Sequence, residues 1–159
     1  MAKDIRSDDV KVVATNRKAR HLYTIVETIE AGIELKGTEV KSLRASEVSF
    51  IDSYAAIENG QAYVFNLHIA PYEKAARDNH DPMRKRRLLL HKSEIRRLTV
   101  KIEQRGLTLV PLAIYFDRSH AKIELGLARG KKMHDRREAI REREEKREME
   151  RNARRGERE

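Results

Sequence analysis

The sequence contains no cysteine, no tryptophan and only 5% aromatic residues. The absence of cysteine excludes structural disulfides, metal sites built from thiolates and a cysteine nucleophile. No run of about 18 apolar residues is present that could span a membrane. The N-terminal segment Met1–Ile5 also lacks the apolar core of a secretion signal. We therefore expect a soluble, cytoplasmic protein that has no membrane partner.

Charge, by contrast, is abundant, since charged residues make up 38% of the 159 residues. The 35 lysines and arginines exceed the 26 acidic residues and give a net charge of +9. A surplus of this size favours an acidic partner, and nucleic acid is the first to consider. The length suits one compact domain with an appendage.

The charged residues are concentrated at the C-terminal end. Residues 131–159 hold 12 basic and 9 acidic residues, which is too much charge for a segment with a core of its own. We predict three regions: a flexible leader over residues 1–15, a folded domain over residues 16–130, and a basic tail over residues 131–159. The tail is expected to be disordered when free and helical when held. A tail that merely keeps the protein soluble is the alternative.

Most of residues 16–130 shows the patterns of β-strands. Asn59-Gly60 is a two-residue hairpin signal, and the strand predicted after it covers Gln61–Ile69. Four of its residues would share one face: Tyr63, Phe65, Leu67 and Ile69. Leu107–Phe116 is also a predicted strand, in which Pro111 indicates an edge or a bulge. About six strands are expected in all.

Two helices interrupt the strands. The spacing predicts a helix over Ser93–Arg105, capped by Ser93 and ended by Gly106, and a shorter one over Thr38–Arg44, capped by Thr38. Short antiparallel strands with one substantial helix late in the order favour a mainly β fold. We predict an OB-like closed antiparallel barrel with flanking helices. An SH3-like barrel with added helices is the alternative.

Tests for catalysis give no positive result. The segment Gly126–Lys132 has three residues between its glycines and a second lysine after the first, whereas a phosphate-binding loop needs four residues and then Ser or Thr. The six histidines are scattered, so they predict no zinc site. We expect no metal, no cofactor and no enzymatic activity.

Three basic clusters outside the tail could neutralise phosphates and make binding salt-dependent. They are Asn16, Arg17, Lys18, Arg20 and His21 before the first strand; Lys41 and Arg44 on the short helix; and Arg84, Lys85, Arg86 and Arg87 at the end of a loop. Each cluster could instead be an ordinary solvated surface. The clusters by themselves favour nucleic acid without choosing between RNA and DNA.

Seven short motifs make the sequence recognisable when taken together. They are Asn16–His21, Glu30–Gly32, Gly37–Arg44, Asp52–Tyr54, Ile69–Tyr72, Arg87–Leu90 and Gly130–Arg137. In order and spacing they resemble the bacterial small protein B family, the SsrA-binding proteins that partner transfer-messenger RNA. Ala45-Ser46 departs slightly from the pattern, since the family commonly has Ala-Gly or a close variant there.

The resemblance implies an OB-like barrel with flanking helices and a basic tail. It also implies that the chain binds the tRNA-like domain of transfer-messenger RNA. The RNA would then be delivered, with elongation factor Tu, to ribosomes that are stalled on messages without a usable stop codon. Elongation factor Tu would be an indirect partner, reached through the RNA.

The same resemblance implies roles for individual residues. Asn16, Glu30 and Leu89 match family positions needed for RNA binding, and Lys41 and Arg44 would lie on the RNA-facing side. A carboxylate repels phosphate, so Glu30 could accept hydrogen bonds from a base edge or a 2′-hydroxyl, or orient a nearby arginine. The residues that match the segment placed in the ribosomal decoding centre are Lys131, Lys132, His134, Asp135, Arg136 and Arg137.

Two other functions remain as alternatives. A ribosomal structural protein or RNA chaperone with an OB barrel would bind diverse RNAs with similar affinity. An OB-type nuclease would need a cluster of metal-binding carboxylates, for which the sequence gives no sign.

Overall fold

The computed structural model describes residues 9–75, 77–131 and 133–156, with the side chains of 133–136 excepted. The described residues form nine strands and four helices. In chain order these are β1 Val10–Thr15, α1 Ala19–Leu22, β2 Tyr23–Ile33, α2 Gly37–Arg44, β3 Val48–Ser49, β4 Tyr54–Glu58, β5 Gln61–Phe65, β6 His68–Ile69, β7 Arg86–Leu89, α3 Lys92–Arg105, β8 Thr108–Asp117, β9 His120–Gly130 and α4 Met133–Gly156.

Six strands close into an antiparallel ring. The order is β8-β4-β5-β7-β2-β9, and β9 pairs with β8 again to complete the circle. β1 is added on the outer side of β8, and β3 and β6 form a separate short pair. The predicted closed barrel of about six strands with flanking helices is therefore confirmed. Ring closure gives each of the six strands at least two neighbours, which removes the exposed edges of an open sheet.

The barrel core follows from the alternation along the strands. Ile123, Leu125 and Leu127 of β9 are completely buried, because side chains two residues apart point to the same face. The predicted hairpin joins β4 to β5, and both Asn59 and Gly60 have positive φ, as a tight two-residue turn requires. Pro111 lies at a register shift in β8, which confirms the predicted bulge.

Two expectations about the segment Gln61–Ile69 were wrong: that it forms one strand, and that Tyr63, Phe65, Leu67 and Ile69 share one face. Gln61–Ile69 is not one strand, because Asn66, with a φ of 56°, divides it into β5 and β6. Leu67 and Ile69 consequently lie in the core, while Tyr63 and Phe65 remain on the outside of β5, whose inward residues are Ala62 and Val64.

The predicted flexible leader is also incorrect over residues 10–15. These residues form β1, which pairs with the second half of β8. Residues 1–8 of the leader lie outside the described part of the chain.

The two predicted helices, α2 and α3, each begin one residue before the predicted start. For α3 the preceding residue is His91, whose backbone N–H donates to Glu94 Oε2 at 3.0 Å, and Gly106 ends the helix in the left-handed conformation. For α2 the backbone N–H of Lys36 donates to Glu39 Oε1 at 2.8 Å. Ser93 and Thr38 are therefore not the caps. A glutamate in the first turn takes up the free N–H at each helix start.

Candidate RNA-binding surfaces

Glu30 lies on β2 and accepts two hydrogen bonds, one from the adjacent strand β9 and one from β8, the strand beyond it. Lys122 Nζ of β9 lies 2.7 Å from Glu30 Oε1, and the hydroxyl of Tyr115 on β8 donates to Glu30 Oε2. Partial burial raises the pKa of the Glu30 carboxyl, but the hydrogen bonds from Lys122 and Tyr115 outweigh it and bring the pKa below its usual value. Burial and the Glu30 carboxylate raise the pKa of Tyr115. Glu30 is thus an ionised group that orients a cation, which is one of the roles considered from the sequence, although the cation is Lys122 and not an arginine.

Leu89 lies at the end of β7, and its side chain is 47% exposed. It pairs in register with Gly32 on β2, and a Cβ added to Gly32 would be only 3.2 Å from Leu89 Cβ. The glycine therefore gives Leu89 the space to lie across the strand. Leu89 and Lys122 line a groove of about 700 Å³ together with Arg118 and His120. This surface, the Leu89 groove, presents an apolar side chain together with the cations Arg118 and Lys122, and Asp117 lines it as well.

Lys41 and Arg44 are both exposed on α2. The Lys41 ammonium lies 5.1 Å from the centre of the Tyr72 ring, and the Arg44 guanidinium lies 5.1 Å from that of Phe116. Their positive ends are held on aromatic faces and stay accessible to solvent.

The run Arg84–Arg87 does not present four cations to a partner. Arg86 is completely buried; its guanidinium forms an ion pair with Glu39 and donates to the Leu67 carbonyl at 2.5 Å. The prediction of Arg86 as an RNA contact is therefore wrong, because alternation along β7 turns its side chain inward. Arg84 also bonds Glu39, at 2.6 Å. Burial raises the pKa of Glu39, yet its bonds to Arg84, the Lys36 backbone and Arg86 lower it overall.

The other two members of the run are exposed and have acidic neighbours. Lys85 Nζ lies 2.6 Å from Glu58 Oε2 and 4.1 Å from the centre of the Tyr63 ring. Arg87 Nε lies 3.7 Å from Glu34 Oε2. Lys85 and Arg87 remain accessible to RNA, but each already has a nearby countercharge.

A second surface is formed where the chain passes from β1 into α1. Arg17, Lys18 and Arg20 are exposed there, and His21 is half-buried. The side-chain amide of Asn16 donates to the Pro111 carbonyl at 2.9 Å, so this residue holds the segment against β8. Arg17 and Lys18 line a cleft of about 840 Å³, which we call the α1 cleft. Its described lining shares no residue with the Leu89 groove.

The tail begins at the α1 cleft. The Lys131 backbone N–H donates to the Leu22 carbonyl at 3.0 Å, and Lys131 Nζ lies 3.2 Å from the Arg20 carbonyl. α4 follows directly, and Arg137 on it is exposed. Lys132 lies outside the described residues, as do the side chains of His134, Asp135 and Arg136.

Three residues that matter for these surfaces were missed by sequence reasoning. Tyr115 and Lys122 hold Glu30, and Glu39 holds Arg84 and Arg86. Each partner is distant in the sequence; Lys122, for example, is 92 residues from Glu30. A local pattern contains no signal for such a pair, although a carboxylate inside a basic motif does indicate that some cation must face it.

Comparison with known proteins decides the family. The family model described as SmpB protein matches residues 13–155, which is most of the chain. The chain belongs to the SmpB family. Relatives in the SmpB family that are named SsrA-binding protein are similar over nearly their whole length. The one from Caldicellulosiruptor saccharolyticus is 59% identical over 140 residues, covering 88% of this chain and 89% of the relative. The one from Microcystis aeruginosa is 52% identical over 145 residues, covering 91% and 94%.

A solved structure is similar to this SmpB-family chain as well. It is described as "tmRNA-SmpB: a journey to the center of the bacterial ribosome" and is 60% identical in sequence. The match has a TM-score of 0.65 and covers 80% of this chain and 94% of the other. Among the helices that the structure describes, none is long and apolar enough to cross a membrane.

Proposed function

We propose that the chain binds the tRNA-like domain of transfer-messenger RNA and delivers it to stalled ribosomes, where the nascent peptide is tagged and the ribosome released. The observation that carries the proposal is the identity of 52–59% to SsrA-binding proteins over nearly the full length. Elongation factor Tu is an indirect partner, reached through the RNA. The role places the chain in the cytoplasm and requires no catalysis by it.

The Leu89 groove is the surface that suits the tRNA-like domain. Glu30 fixes the Lys122 ammonium at 2.7 Å, which removes part of the entropy that a free lysine would lose on binding a phosphate. Leu89 provides an exposed apolar contact in the same groove. A fixed cation next to an apolar side chain can recognise both the backbone and an unstacked base of a folded RNA. Lys41, Arg44, Lys85 and Arg87 extend the positive charge available to the RNA.

The tail would act at the ribosome. A tRNA-like RNA that lacks an anticodon arm leaves the decoding centre unfilled, so the barrel takes the place of that arm and the tail takes the place of the codon–anticodon duplex. Residues 131–159 carry a net charge of +3, which suits a channel walled by ribosomal RNA. The tail can enter the message channel only where no message occupies it. Occupancy of the channel would thereby select stalled ribosomes.

Truncation tests this division of labour. A chain that ends at Gly130 should bind transfer-messenger RNA with nearly full affinity, because the Leu89 groove is intact, but it should not support peptide tagging on stalled ribosomes in a reconstituted translation reaction. A chain that ends at Gly156 is the matched control and should tag normally. Tagging by the chain that ends at Gly130 would show that the tail does not have this role.

RNA selectivity tests the function against a general RNA chaperone. The chain is purified from cells and the RNA that accompanies it is sequenced. We expect strong enrichment of one transcript with a tRNA-like fold. Binding of many transcripts without enrichment would favour the chaperone.

A further inference from the structure

The α1 cleft has the chemistry of a site for a nucleotide. Arg17 and Lys18 line it on the α1 side, and Tyr54 at the start of β4 lines it as well. Its volume of about 840 Å³ lies within the range of roughly 300–1,000 Å³ typical of sites for small organic ligands. Two cations that can bind a phosphate thus share one cleft with an aromatic ring that can stack on a base.

The Tyr54 ring is held in a defined orientation. It stacks on Phe65, its cross-strand partner, with the ring centres 5.0 Å apart and an angle of 12° between the planes. Phe65 does not line the cleft, whereas Tyr54 does and is 45% exposed. The exposed part of the Tyr54 side chain is therefore accessible from the cleft. A flat ring system entering there would extend the existing stack of two rings to three.

Hydrogen bonds fix both walls of the cleft. On one side the Ser53 backbone N–H and the Ser53 hydroxyl both donate to the Phe50 carbonyl, at 3.0 and 2.7 Å. On the other side Asn16 is bonded through its side chain to Pro111 and through its backbone N–H to Leu112, the latter at 2.7 Å. A cleft whose walls are already ordered loses little conformational entropy when a ligand binds.

We propose that the α1 cleft holds one unpaired nucleotide of ribosomal RNA, with its base stacked on Tyr54 and its phosphate bound by Arg17 and Lys18. The choice of ribosomal RNA rests on the proposed function. Leu22, which lines the cleft, accepts the backbone hydrogen bond of Lys131 at the start of the tail. Because the proposed function places the tail on the ribosome and transfer-messenger RNA in the separate Leu89 groove, we assign the cleft at the start of the tail to the ribosome. Asn16, which also lines the cleft, holds the segment against β8.

Binding of short RNA to the full chain tests the nucleotide site. Fluorescence anisotropy compares a labelled hexa-adenylate with a hexamer of the same backbone that lacks bases. The wild-type chain should bind the adenylate about tenfold more tightly, because only the adenylate can stack on the ring. Tyr54→Ala should reduce this ratio to near one, whereas Tyr54→Phe should keep it. A ratio near one in the wild type, or an unchanged ratio in Tyr54→Ala, would overturn the site.

Two further variants separate the base from the phosphate. Tyr63→Ala removes an aromatic ring on the same face of the sheet that does not line the cleft, so the ratio should remain that of the wild type. The double variant Arg17→Ala/Lys18→Ala should weaken binding of both hexamers by a similar factor and leave the ratio unchanged. If both affinities stayed at the wild-type value, Arg17 and Lys18 would not be the phosphate ligands. Thermal unfolding of each variant checks that the barrel is intact.

Crosslinking tests the source of the nucleotide. A photoreactive azidophenylalanine is placed at position 54 and irradiated in a complex of ribosome, transfer-messenger RNA and the full chain. A crosslink to ribosomal RNA supports the proposal, and a crosslink to transfer-messenger RNA overturns it. The affinity of Tyr54→Ala for isolated transfer-messenger RNA should equal that of the wild type. If the wild type did not bind transfer-messenger RNA more tightly than other RNAs, the proposed function would be wrong. The ratio of the affinities for the two hexamers would still test the nucleotide site in the cleft.

Discussion

Glu39 of α2 is bonded to two arginines. Its side chain and that of Arg86 are both completely buried, and Arg84 bonds the same carboxylate. Charges removed from water are tolerated only when they are paired and hydrogen-bonded, and Arg86 meets this condition with additional bonds to the carbonyls of Leu67 and Pro82. The pair connects α2 to β7 across 47 residues.

Glu39→Gln should strongly destabilise the chain. The substitution keeps the size of the side chain but leaves Arg86 buried without a countercharge, so we expect the free energy of unfolding to fall by about 3–5 kcal/mol. Urea denaturation followed by circular dichroism measures it. Glu58→Gln, at the exposed pair with Lys85, is the matched control and should cost about 0–1 kcal/mol. If the free energy of unfolding fell equally in the two variants, the buried pair would contribute no more to stability than the exposed one.

Glu30 and Lys122 should act on RNA affinity as one unit. Glu30→Ala releases the lysine, and Lys122→Ala removes the group that the glutamate orients. Each substitution should weaken binding of transfer-messenger RNA, and the double variant should be little weaker than either. A double-mutant cycle on the dissociation constants should give a coupling of about 0.5–3 kcal/mol. Additive losses would mean that Glu30 contacts the RNA by itself.

At the scale of elements, α3 ends where the backbone turns left-handed. Gly106 has a φ of 62°, a conformation that costs an L-residue free energy because of its Cβ. An added Cβ at this position would meet no atom within 4 Å, so the cost of a side chain here comes from the backbone alone.

Gly106→Ala should therefore lower the free energy of unfolding by about 1–2 kcal/mol. Gly37→Ala is its counterpart. A Cβ added to Gly37 would also meet no atom within 4 Å, but Gly37 begins the helix α2. An alanine is favoured over glycine in a helix, so we expect no loss and a gain of up to about 1 kcal/mol. Chemical denaturation of both variants tests the pair. A loss at Gly37 as large as that at Gly106 would point to packing instead of backbone conformation.

The elements that the sequence predicts well are those with local causes. The hairpin at Asn59-Gly60 and the end of α3 at Gly106 each depend on residues that adopt positive φ easily. β1 was missed because a strand on the outer side of a sheet depends on its partner, here the second half of β8. The break at Asn66 was missed because alternating apolar residues continue across it, and only the tertiary fold makes β5 and β6 separate strands.

At the scale of the whole molecule, the positive charge is distributed between the barrel and the tail. The basic residues of the candidate surfaces can be located in the sequence, but their exposure cannot. Arg86 was assigned wrongly because a run of four cations does not reveal which side chain turns inward toward a carboxylate 47 residues away. The cleft beside Tyr54 could not be predicted, since its walls come from segments that only the barrel brings together.

The fold as a whole should be sensitive to acid. The pKa values of Glu27, Glu30 and Glu39 lie below the usual 4.5 in the folded chain. The hydrogen bonds from Lys101 and Arg97 are the largest influence on Glu27; for Glu30 and Glu39 burial raises the pKa, but the hydrogen bonds that they accept prevail. A lowered pKa in the folded state gives stability that is present above pH 4.5 and is lost as the pH falls. Burial raises the pKa of Glu124, which acts in the opposite direction.

We therefore expect the free energy of unfolding to decrease as the pH falls from 5 toward 3. Urea titrations at several pH values in this window measure the decrease. Glu39→Gln should show a smaller decrease than the wild type, because it lacks one of the three carboxyls. Stability that is constant or rises over this window would contradict the ion-pair assignments.

The start of the tail has a consequence for the length of the molecule. Lys131 ties the chain to α1, and the 24 residues of α4 follow from that point. At 1.5 Å per residue such a helix extends about 36 Å from its anchor. Each residue inserted or deleted near its beginning would move the far end by about 1.5 Å and rotate it by about 100°. The number of residues after Lys131 therefore determines both how far the end of α4 extends and the direction in which its side chains point.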